Sequence, residues 1–132
     1  MQVDFYQLSR DPAPKIAVQL ARKLFDTGER LLIVSGDDGL LSAISDALWQ
    51  ADGPCFLAHE RAGGADDALQ PILLSTDAKP ANDAGHIMLA DGVWRAEVLA
   101  QKPPPERLFY LFGPAEVEVA RDAWRSLKDT PD

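Results

Sequence analysis

The run Leu31-Leu32-Ile33-Val34 constrains this chain more than any other stretch. Four consecutive apolar residues without polar alternation fit a strand covered on both faces, the kind found in parallel sheets flanked by helices. Ser35-Gly36-Asp37-Asp38-Gly39 breaks the run, with two glycines for a turn and polar groups suited to starting a helix. Leu40, Leu41, Ile44, Ala47 and Leu48 then recur at helical spacing as far as Trp49. Asp52-Gly53-Pro54 stops that helix, and Cys55-Phe56-Leu57 reads as a short strand. Strand, helix and strand make a βαβ unit, the seed of a three-layer α/β domain with a mostly parallel central sheet flanked by helices.

The remaining segments extend the same pattern. Val3-Asp4-Phe5-Tyr6-Gln7-Leu8 is rich in strand formers and is expected to pair inside the sheet. Asp11-Pro12-Ala13-Pro14 carries a helix-start signature, Ile16, Leu20 and Leu24 share a stripe with Ala17, Ala21 and Phe25, and Gly28 supplies a left-handed stop. This helix joins the first strand to Leu31–Val34 as a crossover connection. A polar loop over 58–67 leads to a strand at Pro71-Ile72-Leu73-Leu74-Ser75, and a loop over 78–83 leads to another at His86-Ile87-Met88-Leu89. Asp91-Gly92 marks a turn, and 93–100 reads equally as a helical turn or an edge segment. After the stiff Pro103-Pro104-Pro105, Arg107-Leu108-Phe109-Tyr110-Leu111-Phe112 is the clearest strand of all. Gly113-Pro114 opens a last helix over 115–128, with Val117, Ala120, Ala123, Trp124 and Leu127 as its apolar face.

Length suits one domain spanning 1–132, burying roughly two-thirds of its unfolded surface. A net charge of −8 sets the molecule against nucleic acid and anionic membranes, so an anion must be met by a local basic patch. One cysteine leaves no internal disulfide, which fits a reducing cytoplasm. No basic-then-apolar leader opens the chain, and no apolar run approaches ~20 residues, so neither secretion nor a membrane span is expected.

Catalysis finds little support. The turn Asp37-Asp38 lies where ligands bind in open α/β sheets, beyond the carboxyl end of a strand. Two carboxylates repel phosphate unless a metal intervenes, which leaves one alternative: a receiver-type signalling domain holding Mg²⁺ on Asp37 and Asp38. The simpler reading makes one of them a helix cap. His59 and His86, the two histidines, show no metal-ligand spacing, Cys55 sits in an apolar run, and no Ser-His-Asp set is discernible. No cofactor is called for. In the last helix Arg121, Arg125 and Lys128 recur at i, i+4 and i+7 beside Trp124. Such a strip suits a peptide bearing a carboxylate and an aromatic ring, but spacing alone favours a polar helix face with Trp124 packed in the core.

Several stretches, in order, resemble the chi subunit of bacterial DNA polymerase III. They are Val3-Asp4-Phe5-Tyr6-Gln7-Leu8, Gly28-Glu29-Arg30-Leu31-Leu32-Ile33, Asp46-Ala47-Leu48-Trp49, Phe56-Leu57-Ala58-His59, Pro71-Ile72-Leu73-Leu74, Ala81-Asn82-Asp83-Ala84 and Ala120-Arg121-Asp122-Ala123-Trp124-Arg125. The resemblance implies a Rossmann-like fold without nucleotide chemistry and a non-catalytic accessory role at the clamp loader. It further implies a grip on the acidic C-terminal tail of single-stranded DNA-binding protein (SSB), with Arg121, Trp124 and Arg125 at the matching positions and Lys128 extending the strip. Trp49 and Phe56 match positions that face the psi subunit in the family. Ala58 and Cys55 stand where the family usually has proline and serine. A further alternative is an α/β interaction scaffold for an unknown partner.

Overall fold

The computed structural model describes residues 2–8, 12–50, 59–62, 70–76, 78, 82, 84–95, 97–98, 101 and 105–129. Their strands are β1 (Gln2–Gln7), β2 (Leu31–Val34), β3 (Glu60–Arg61), β4 (Ile72–Ser75), β5 (His86–Leu89) and β6 (Arg107–Phe112). They form one sheet in the order β1-β6-β5-β2-β4-β3, with every neighbouring pair parallel. Its helices are α1 (Ala13–Asp26), α2 (Asp38–Trp49) and α3 (Val117–Asp129). This is the α/β layering expected of the continuous apolar runs, with the Rossmann-like layout that the family resemblance implies.

β2, β4 and β5 are buried at all four positions, which is why their sequences show no polar alternation. Alternate residues divide two cores. Leu31 and Ile33 point toward α1 and α2 together with Met88, Phe109 and Leu111. Leu32 and Val34 point the other way with Ile87, Leu108 and Tyr110, where Val117 and Ala120 of α3 cover them. Two helices therefore pack on one face, and α3 packs on the other.

The α1 stop is a Schellman motif: the Glu29 amide donates to Leu24 O at 2.9 Å and the Gly28 amide to Phe25 O at 3.1 Å, with Gly28 at φ 78°. Two expectations need correction. Among the described residues β1 pairs with β6 alone and forms the rim of the sheet. Its Gln2, Asp4 and Gln7 suit that half-wet position, and Asp4 Oδ2 accepts from Arg107 Nε at 2.6 Å. The polar loop read over 58–67 also contains a short strand, β3, which pairs in parallel with β4. The strand expected at Cys55-Phe56-Leu57 lies outside the described residues. The last helix is preceded by a 3-10 turn at Pro114–Glu116, in which Glu116 Oε1 accepts from the Gly113 amide at 3.3 Å. Among the described residues no helix is long and apolar enough to cross a membrane.

Candidate functional site

The chain leaves β2 toward β3 and β4 on one side, whereas it leaves β5 toward β6 on the other. Between those two strand ends lies the crevice where open α/β sheets take ligands. Here the protein fills it with its own groups. The Gly36 amide, the donor a phosphate would use, donates to Asp91 Oδ2 at 2.8 Å. Arg95 closes on the same carboxylate through two bonds, Nη1 to Oδ1 at 2.8 Å and Nη2 to Oδ2 at 2.9 Å. The two side chains are 13% and 10% exposed. Burial alone would push the Asp91 carboxyl up, but hydrogen bonds from Arg95, Gly36 and Val93 outweigh it and hold it below the ordinary carboxylate value. The Tyr110 hydroxyl, buried, donates to Gly92 O at 2.7 Å and fixes the turn. In the sequence Asp91-Gly92 reads only as a turn. The i, i+4 spacing of Asp91 and Arg95 was the available signal.

The acidic pair is likewise occupied. Asp37 caps α2, its Oδ1 accepting from the amides of Gly39 at 2.9 Å and Leu40 at 3.4 Å. Asp38 Oδ1 accepts from Arg61 Nη2 at 2.7 Å, tying α2 to β3 at the surface.

On α3 the strip is built as the spacing requires. Ala120 and Ala123 are buried against the sheet, and Arg121 and Arg125 stand in solvent. Trp124 is 51% exposed, so it belongs to the border of the strip and not to the apolar face that Val117, Ala120, Ala123 and Leu127 make. Each arginine also meets a carboxylate one turn earlier, Arg121 with Glu118 at 3.4 Å and Arg125 with Asp122 at 3.6 Å. Contacts so exposed are worth roughly 0–1 kcal/mol, so an incoming carboxylate can displace them. Lys128 lies in α3, with its side chain outside what the structure describes.

Trp49 ends α2 on the other face of the sheet and is 53% exposed. It is positioned by His59, whose ring centroid lies 4.7 Å away and whose Nε2 hydrogen-bonds Ser45 Oγ at 2.8 Å. His59 is therefore an orienting residue, which its place in the sequence did not reveal. Phe56, expected beside Trp49, lies outside the described residues.

At the amino-terminal edge of the sheet a third group forms. Glu29, His86 and Glu106 each bring one ligand-capable atom within 4.8 Å of the others.

With these surfaces in view, sequence comparison distinguishes between a ligand-binding α/β protein and an accessory one. No curated protein matches the chain. The family described as DNA polymerase III chi subunit, HolC, matches it over residues 1–131 of 132. A match across essentially the whole length leads to one assignment: the chain belongs to the chi-subunit family of DNA polymerase III.

Proposed function

We propose that the protein is a non-catalytic, cytoplasmic adaptor that links the clamp loader of the DNA polymerase III holoenzyme to SSB by gripping its acidic C-terminal tail. Membership of the chi family makes it a replication accessory subunit of the holoenzyme. The observation that carries the finer reading is the surface of α3, where the half-exposed Trp124 borders the strip of Arg121 and Arg125. A tail ending in phenylalanine offers a terminal carboxylate for an arginine and a ring for the indole, and Lys128 adds charge to the same strip. Trp49, with Phe56, serves as the second contact, toward the psi subunit or another clamp-loader protein. Contact with nucleic acid itself is not part of this role, in keeping with the net charge of −8. The receiver-type alternative loses ground because Asp37 is committed to the α2 cap and Asp38 to Arg61.

The test is a fluorescence-anisotropy titration with the C-terminal peptide of the cognate SSB. A charge-assisted contact contributes roughly 1.5–3 kcal/mol, so Arg125→Ala is expected to weaken binding about tenfold or more, and Trp124→Ala comparably. Folded variants that bind as the parent does would remove α3 as the site. A parent that ignores the peptide would remove the SSB role and leave the scaffold reading.

A further inference from the structure

The amino-terminal edge of the sheet carries side chains that neither contact surface uses. Leu31, His86 and Arg107 lie side by side in register on β2, β5 and β6. Glu29 precedes that row by two residues and Glu106 by one, so the topology gathers three residues that are far apart in sequence.

Each is held in place. The Schellman bond from its amide to Leu24 O fixes Glu29. The Glu106 amide donates to Gly85 O at 2.7 Å, and its carboxylate lies so close to Gly85 that an added Cβ would stand 3.3 Å from Oε2. The His86 ring stacks on Phe109 with centroids 6.3 Å apart and planes 22° apart. Arg107, the nearest cation in the row, is already engaged by Asp4 at 2.6 Å.

The His86 side chain is 9% exposed, and its Nδ1 is fully buried without a hydrogen-bond partner among the described residues. That nitrogen lies 3.8 Å from Glu29 Oε2, beyond hydrogen-bond reach. Buried polar atoms without partners are uncommon in native proteins. Here the neighbours are carboxylates, so what the group lacks is a positive centre to share.

We propose that Glu29, His86 and Glu106 bind a divalent transition-metal ion, zinc being the best suited. One imidazole nitrogen and two carboxylates form a borderline donor set. Mg²⁺ and Ca²⁺ favour all-oxygen cages, and Cu(I) favours sulfur. Zinc–ligand distances of ~2.0–2.2 Å place tetrahedral ligand atoms ~3.4 Å apart. The glutamates, both exposed, close the remaining gap by rotating toward a fixed imidazole, and water takes the fourth position. The ion would pin β2, β5 and β6 together at their starts.

The experiment uses the full chain, stripped with a chelator and titrated with Zn²⁺ against a chromophoric competitor, while NMR follows the imidazole nitrogens. Expected are one equivalent of zinc bound, a shift of His86 but not His59, and a melting temperature that rises with zinc. The double variant Glu29→Gln, Glu106→Gln is isosteric and its substituted positions are exposed, so it folds. It is expected to lose about tenfold or more in zinc affinity, along with the thermal response. Undiminished affinity in that variant would place the metal elsewhere and overturn the proposal. So would a His86 ring that responds to pH but not to zinc, because the shared positive centre would then be a proton.

Discussion

Asp37 works through geometry alone. It sits in extended backbone at φ −104° and ψ 110° and turns its carboxylate onto the first amides of α2. Asparagine can make the same bonds, so Asp37→Asn is expected to shift stability by no more than about 0.5 kcal/mol, whereas Asp37→Ala loses about 1 kcal/mol; urea unfolding measures both. That one of the two aspartates caps the helix is readable in Ser35-Gly36-Asp37-Asp38-Gly39. Which one does so is decided by a backbone angle the sequence does not display. Among the described residues Gly28 and Gly92 have positive φ, and they differ in the same hidden way. A methyl at Gly28 meets open space, while one at Gly92 collides with the Glu116 carboxylate that holds the Gly113 amide. Gly28→Ala should therefore cost about 1–2 kcal/mol, the left-handed backbone term alone, and Gly92→Ala clearly more, as thermal unfolding would show.

Among the elements, the segment after β5 is open to two readings in sequence, and in the structure Glu97 and Val98 lie in a 3-10 turn. Arg95 is held by a contact with a distant loop, through Asp91 and the Gly36 amide, which no local pattern announces. Burial disfavours the Asp91 anion, but its hydrogen bonds, Arg95 first, win and lower its pKa. An unfolded aspartate titrates near ~3.9, so the stabilisation is complete above that value and is lost as pH falls through the lower folded one. Stability should therefore drop as pH falls below about 4, and Asp91→Asn should flatten that dependence in acid-unfolding curves. Removing the cation strands a mostly buried carboxylate, so Arg95→Ala is expected to cost about 3 kcal/mol, read by denaturant titration. α2 behaves differently, since its last residue faces outward. Trp49→Ala should cost well under the ~3–5 kcal/mol of a core aromatic, and a melting temperature reduced that severely would contradict the contact role.

For the molecule as a whole, every described strand but β3 could be identified, and their order could not. Period and apolar runs expose β2, β4, β5 and β6, but nothing local tells β1 to pair with β6 across the length of the chain. The same divide separates the sites. Arg121, Trp124 and Arg125 share one helix, so their spacing already draws the strip, whereas Glu29, His86 and Glu106 meet only after three strands align. Binding of an acidic peptide on α3 should weaken steadily with salt, because exposed charges are screened over ~8–10 Å at moderate ionic strength, and anisotropy at several salt concentrations would report it. Trp49 and Trp124 stand on helices of opposite faces, with the rigid sheet between them. Ligands at those two positions cannot shadow each other, and sites so separated contribute independently. A ternary assembly could then form in either order with no cooperativity between the two events. Its advantage would lie in tethering: a ligand captured on one face is held at high effective concentration beside whatever is bound on the other.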